Sequence, residues 1–340
     1  MSMSRQATGK CLIACTIRFA LSRKSEYICC MHMTLRLQLK KNEMETKRKR
    51  MKKAAPYLIL ASGVLWGTTG LFVRQFNDKG ISSLDIVAIR AMVTVLCMFV
   101  FLLCTHRELL KVRLKDLWCF AGNGILSMLF FNLCYFKAMT LTSLSVAAVL
   151  LYTAPAIVML LSRVFFKEKL TKVKLLSVVF TFVGCILVTG VIGSGAVLSG
   201  AGILVGLGSG LGYALYSIFC RFALERGYHS FTIIFYTFVF TMFGTIPLVD
   251  LSGIGNVVFS GWQMIGFTLL CGLVTTVLPY ICYNFGLKHV ENGKAAVIAS
   301  VEPAVATLLG VLVFQETLTV TGAIGLLMVI GAIVVCQRKG

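Results

Sequence analysis

The sequence predicts an all-α integral membrane protein of ten transmembrane helices arranged as two inverted five-helix repeats. Three observations carry this. Hydrophobic residues make up 58% of the 340 and charged residues only 14%, with a mean hydropathy of +0.88, a balance foreign to soluble domains. Apolar windows of roughly the 20 residues that one helical crossing needs recur almost without pause from Tyr57 to Cys336. Finally, the chain repeats itself while its equivalent loops differ in charge.

The windows run over residues 57–76, 83–104, 117–139, 143–166, 173–192, 200–222, 230–249, 263–286, 294–314 and 319–337. Within them AAVLLYTAPAIVMLLSRVFFKEKLT, from Ala147, aligns without a gap on AAVIASVEPAVATLLGVLVFQETLT, from Ala295, so that Pro155 meets Pro303, Glu168 meets Glu316 and Thr171 meets Thr319. The same offset of 148 pairs Cys134 with Cys282 and Tyr135 with Tyr283; one residue less pairs Ser62, Gly63 and Arg74 with Ser209, Gly210 and Arg221. The domains expected are a basic, disordered extension over 1–53, a first five-helix repeat over 54–193 and a second over 194–340.

Five crossings is an odd number, so the second repeat enters the bilayer from the opposite face, and equivalent loops lie on opposite sides. Lys and Arg resist translocation and mark the cytoplasmic side. KEKLTKVK at 167–174 carries four lysines; its repeat partner QETLTVTG at 315–322 carries none. With the N-terminus inside, the inner loops hold Arg107, Lys111, Arg113 and Lys115, then KEKLTKVK, then Arg221 and Arg226, Lys288 and Lys294, and Arg338 and Lys339, whereas the outer loops hold little beyond Arg74 and Lys79. THRELLKVRLK between spans two and three likewise answers to the uncharged loop SGIGNVVFSG. The alternation predicts N-terminus and C-terminus both cytoplasmic, in a plasma-membrane protein.

The net charge of +20 is concentrated in residues 1–53, which hold 14 of the 33 Lys and Arg. A basic tail beside a membrane lies against anionic lipid, and this one lacks the aromatic platform that nucleic-acid binding needs. Its start reads as a disordered leader, as residues upstream of a true start at Met44 or Met51, or as an organelle transit peptide. Nine of the thirteen cysteines fall in or beside apolar spans without a Cys-x-x-Cys, which fits small packed hydrophobes rather than metal or redox chemistry. His32, His106, His229 and His289 are scattered, and phosphate-loop, zinc-protease and nucleophile-elbow motifs are missing. No metal or cofactor is expected.

Inverted repeats place a site near the bilayer midplane between the halves. Polar and aromatic residues at helical spacing recur there in pairs: Ser62, Trp66 and Thr69 in span one against Ser209, Tyr213 and Tyr216 in span six, and Asn132 and Tyr135 in span three against Thr276, Tyr280 and Tyr283 in span eight. Singly, each fits helix packing or an interfacial aromatic belt; as paired stripes they predict a lined cavity. Glu302 stands mid-span opposite the uncharged Ala154, and a charged carboxylate there costs about 2.5–3.5 kcal/mol on insertion scales. It reads as facing a substrate, as bonding neighbouring helices, or as carrying a proton. Pro155 and Pro303 are expected to kink spans four and nine. Asp85 and Arg90 could pair at an entrance, or Arg90 could snorkel. Glu168 and Glu316 read as caps of the following helix with Thr171 and Thr319, and Gly202, Gly206 and Gly210 as a close-packing stripe.

Trp66-Gly67 in the first span, Arg90 in the second, Tyr135 and Ala138 in the third, Thr153-Ala154-Pro155 with KEKLT around the fourth, and Glu302-Pro303 with Glu316-Thr317-Leu318-Thr319 around the ninth resemble the EamA family of the drug/metabolite transporter superfamily, from about residue 55 to 337. The chain departs from that pattern in its basic leader and in Phe166-Lys167-Glu168 and Phe314-Gln315-Glu316. The resemblance implies a secondary transporter, often an exporter of amino acids or other small metabolites, working by alternating access around a central cavity. A small-molecule substrate, membrane lipid, possible proton coupling and a possible homodimer are the partners considered. An integral membrane enzyme acting on lipid or isoprenoid, and a passive channel or scaffold, are the competing readings.

Overall fold

The computed structural model describes residues 45, 46, 49–191 and 199–338, and it divides into two units, residues 1–53 and 54–340. In the first unit Lys49 Nζ lies 3.0 Å from a carboxylate oxygen of Glu45, one helical turn away. Most of the expected disordered extension lies outside the described residues.

Among the described residues there is no strand, and nine helices are long and apolar enough to cross a bilayer: α1 (Lys49–Asn77), α2 (Ser83–Thr105), α3 (Leu114–Leu141), α4 (Leu144–Phe166), α6 (Gly200–Glu225), α7 (Ser230–Leu248), α8 (Trp262–Leu287), α9 (Asn292–Phe314) and α10 (Val320–Gln337). The tenth expected crossing is α5 (Lys172–Val188), 17 residues long. At 1.5 Å per residue it spans about 26 Å, slightly under a hydrocarbon core of about 30 Å. The loop expected between spans seven and eight contains a short helix, Leu251–Val258, started by Asp250, whose carboxylate accepts from the Ser252 N–H at 3.1 Å.

Local chemistry sets the boundaries. Hydroxyls of Ser143, Thr171, Ser199 and Thr319 accept from the backbone N–H three residues on, starting α4, α5, α6 and α10. Ser82 and Asp85 form a reciprocal capping box at the start of α2. That answers one expectation: Asp85 serves its own helix and does not pair with Arg90. At the other ends, Lys167 and Gln315 adopt left-handed backbone, φ 55° and 56°, and terminate α4 and α9 identically.

Cross-contacts fix the directions of the helices. Between the first turn of α3 and the α6–α7 turn, Tyr228 donates to Asp116 at 2.7 Å and Arg226 Nε lies 3.3 Å from Asp116. Thr232 at the start of α7 donates to the Leu109 carbonyl at 2.8 Å. The α6–α7 turn is the repeat partner of the α1–α2 loop, yet it lies at the end occupied by the α2–α3 loop; the second repeat is inverted. This lysine-rich end is called the basic end below.

Helices in lipid gain no hydrophobic free energy by meeting one another and depend on close van der Waals approach. At two equivalent places that approach requires glycine. A Cβ on Gly63 of α1 would stand 2.6 Å from Val301 Cγ1 and 2.7 Å from the Ala299 carbonyl oxygen of α9; one on Gly210 of α6 would stand 2.5 Å from Thr153 Oγ1 and 3.0 Å from the Leu150 carbonyl oxygen of α4. The first helix of each repeat is thereby seated on the fourth helix of the other.

Candidate functional site

Those seats lie on helix breaks. α4 consists of Leu144–Leu151 and Ala154–Phe166 joined by a turn, and α9 of Asn292–Ala299 and Glu302–Phe314. Pro155 and Pro303 occupy the first turn of each second segment, where a missing N–H costs nothing. The turns satisfy carbonyls preceding each break locally: Leu150 accepts from the Thr153 N–H and hydroxyl, and Ala296 from the Ser300 N–H and hydroxyl. Two further irregularities match across the repeats. α3 widens to π-helix over Gly122–Leu129 and α8 over Leu273–Val277, and residues 125–129 are the repeat partners of 273–277. Such turns concentrate at functional positions.

Each wide turn is bonded by the second helix of the opposite repeat. Arg90 of α2 donates through Nε to Thr276 Oγ1 and through Nη2 to the Thr275 carbonyl, both at 2.8 Å. Arg90 therefore turns inward, and neither pairs at an entrance nor snorkels. From α7, Thr237 accepts from Asn123 Nδ2 at 3.0 Å and Thr241 donates to the Gly124 carbonyl at 3.2 Å.

Nine of the twelve residues singled out in the sequence fall into two sets, the buried Thr276 being held by Arg90. Trp66, Tyr216, Tyr280 and Tyr283 are buried together: Trp66 lies 5.2 Å from Tyr280 and 5.4 Å from Tyr283, and Tyr216 lies 4.9 Å from Tyr280, ring centroid to centroid. Tilted and edge contacts of this kind suit the ring quadrupoles. Their hydroxyls are paired: Tyr216 donates to Asn284 Oδ1 at 2.9 Å, Tyr280 to Met128 Sδ at 3.1 Å, and Tyr283 shares a 2.7 Å bond with Ser217. Thr69, Asn132, Tyr135, Tyr213 and Glu302 remain partly exposed. Phe131 joins Tyr135 and Tyr213 at 6.0 and 5.7 Å, and the Tyr213 hydroxyl stands 3.5 Å from Glu302 Oε2, at the limit of hydrogen-bond reach. Ser62 and Ser209 are buried and donate to carbonyls of their own helices, Ile59 and Gly206, each at 2.6 Å. They pack the seats and offer nothing outward. Sequence reasoning missed Asn284, Ser217 and Met128; the first two are polar side chains inside spans, a signal the paired-stripe search passed over because their repeat partners are the apolar Phe136 and Gly70.

Helix direction orders the two sets. Tyr216 and Tyr283 come late in α6 and α8, which run toward the basic end, whereas Asn132 and Tyr135 come late in α3, which runs away from it. The sealed set is thus nearer the basic end and the partly exposed set nearer the other.

The carboxylates at the ends of α4 and α9 depart from expectation. Thr171 and Thr319 do cap the next helix, but Glu168 reaches the other repeat, accepting from the N–H groups of Asn292 and Gly293 at 2.8 and 3.2 Å. The first turn of a helix has unpaired donors and a positive dipole end, and α9 offers both to Glu168. Arg221 donates to Asn292 Oδ1 at 2.8 Å and to the Val290 carbonyl, and the nearly buried Lys174 pairs with Glu291. At the opposite end Glu316 pairs with Arg74, both about half exposed, and the Arg74 guanidinium lies 3.9 Å from the centre of the Phe314 ring. Among the described residues no group of three or more His, Cys, Asp or Glu could hold a metal ion, and nine cysteines are free thiols.

Comparison with known proteins agrees with this architecture. The EamA-like transporter family matches twice, over residues 53–190 and 200–336. An uncharacterized transporter of Archaeoglobus fulgidus is 29% identical over 83% of this chain and 95% of its own length, and the uncharacterized transporter YxxF of Bacillus subtilis strain 168 is 25% identical over 86% and 92%. A solved crystal structure superposes with a TM-score of 0.67 over 83% of this chain and 96% of its own at 17% identity, a likeness of fold.

Proposed function

The chain belongs to the EamA-like transporter family, a multi-pass membrane transporter, and on that premise we propose that it is a secondary carrier exporting small metabolites such as amino acids by alternating access between its halves. The observation that carries this reading is the pairing of two broken helices, each seated through glycine on the other repeat, around one polar and aromatic lining. Breaks let short segments tilt without rebuilding a whole helix, and a lining shared by both halves is exposed to one face or the other as they rock.

In this reading Trp66, Tyr135, Tyr213, Tyr216, Tyr280 and Tyr283 supply flat faces for an amphipathic solute, while Asn132, Thr69, Thr276 and Glu302 supply polar contacts. Glu302 either binds a solute cation or takes up a proton during the cycle. The basic end faces the cytoplasm of a plasma-membrane protein, since Lys and Arg are retained there. Purified protein in liposomes, offered labelled amino acids and sugars, is expected to show saturable flux and counterflow. Linear, non-saturating flux would indicate a channel, and absence of flux for every solute class tested would overturn the carrier. Glu302→Gln is expected to abolish the pH dependence of flux; an unchanged pH profile would remove Glu302 from proton coupling.

A further inference from the structure

The repeat relation makes a specific demand on the two ends of the bundle. At offsets of 148 and 147, Glu168 and Arg221 correspond to Glu316 and Arg74, and the turn they hold, Val290–Gly293, corresponds to Thr142–Ser145. At the basic end the four groups meet: the Glu168 carboxylate spans two N–H groups and Arg221 ties the same turn from α6. Asn292 is fully buried beneath them. At the opposite end the mirrored contact is unmade. Glu316 and Arg74 hold each other, Leu144 is 61% exposed, and among the described residues no side chain accepts from the N–H of Leu144 or Ser145. The sealed aromatics lie on the side of the made clasp and the exposed ones on the side of the unmade clasp.

We propose that these four residues are the gates of the carrier: Glu168 and Arg221 close the basic end by clasping the start of α9, and Glu316 and Arg74 exchange their mutual pair for the start of α4 when the opposite end closes. The proposal rests on the alternating-access reading above and adds the atoms that alternate. In the second state the Glu316 carboxylate accepts from Leu144 and Ser145 N–H, and the Arg74 guanidinium donates to the Thr142 carbonyl. The mirrored clasp is also the weaker one. Leu144 lacks the side-chain oxygen that Asn292 offers to Arg221, and Ser143 and Gly322 replace the ion pair of Glu291 and Lys174. That inequality keeps the basic end shut at rest, as a differential free energy between two states must.

Two measurements test the gates apart from transport. In the unaltered protein in nanodiscs, amide exchange at Asn292 and Gly293 is expected to be slower than at Leu144 and Ser145, and Glu168→Ala to speed it by about tenfold, the share of one charge-assisted hydrogen bond; Glu168→Asp restores part of the protection. In a cysteine-free background, Glu316→Cys with Ser145→Cys and Glu168→Cys with Gly293→Cys are each expected to react with a short bifunctional thiol reagent. Linking either pair excludes the other. Adding Leu144→Asn raises the yield of the outer link several-fold.

Equal exchange at the two turns, or an outer pair that never links while flux continues, overturns the gates and leaves the carrier standing. Mutually exclusive links without flux of any solute would uphold the gates as a two-state device and overturn the carrier.

Discussion

At the basic end of the bundle Glu168 and Arg221 hold the turn that begins α9; at the other end their repeat partners Glu316 and Arg74 hold one another. The residues are equivalent by descent and opposite in what they do. In the proposed carrier that difference separates two conformations, of which this structure displays one; what it shows directly is that equivalent residues take different partners at the two ends. The same division runs through the lining, where four buried aromatics face five partly exposed polar or aromatic neighbours across a midplane that the repeats themselves define.

The largest effect expected from breaking that comparison is at Arg221. Arg221→Ala strands a fully buried Asn292 side chain and the Val290 carbonyl, and should lower stability by about 3 kcal/mol. Arg74→Ala removes a half-exposed pair and should cost less than about 1 kcal/mol. Unfolding titrations with SDS would measure both; similar losses would mean that the two ends are held alike.

Next come the seats. Gly63→Ala and Gly210→Ala should each cost about 1–3 kcal/mol by overpacking. Gly63 is the more costly of the two, because its added methyl meets the Ala299 carbonyl, which is fixed, whereas the methyl at Gly210 meets first the Thr153 hydroxyl, which can turn. The same titrations check the order, and a reversed order would show that α6 on α4 is the tighter seat.

The smallest effect sharpens the comparison through pH. His229, just outside α7 at the basic end, packs on Phe231 and Phe285 and accepts the Phe231 N–H at Nδ1, 3.3 Å away. Burial holds its pKa below the ordinary value, with Lys288 and His106 adding to the effect. A depressed pKa means that the folded state binds fewer protons than the unfolded chain. The stabilisation is therefore complete above the unfolded pKa of about 6.5 and is lost as pH falls through the folded value. Mild acid should lower the unfolding midpoint of the wild type slightly, and that of His229→Gln by less; equal responses would exclude His229.

Much of this was legible in the chain. Apolar windows located nine crossings and the neighbourhood of the tenth, because a bilayer demands a fixed apolar length whatever the neighbours are. Capping residues Ser82, Ser143, Thr171, Ser199 and Thr319 act within a turn of their own position, so they too could be read locally. The paired stripes named Trp66, Tyr216, Tyr280 and Tyr283, which do meet.

The partner of Glu168 was not legible. A carboxylate three residues before Thr171 looks like part of that helix start, and only the approach of α9 from the other repeat gives it better donors. Arg90 likewise could be placed near a helix end but not aimed, since its acceptors lie on α8, about 185 residues away in sequence.

Sequence alone determined the all-α membrane architecture, the duplication and the inversion, for these follow from hydropathy, self-similarity and charge, each a property of residues in order. Tertiary structure alone decided that Glu168 and Arg221 reach the start of α9 while Glu316 and Arg74 pair with each other, which aromatics are sealed and where Arg90 points. Those choices depend on contacts between repeats, which residues in order do not encode.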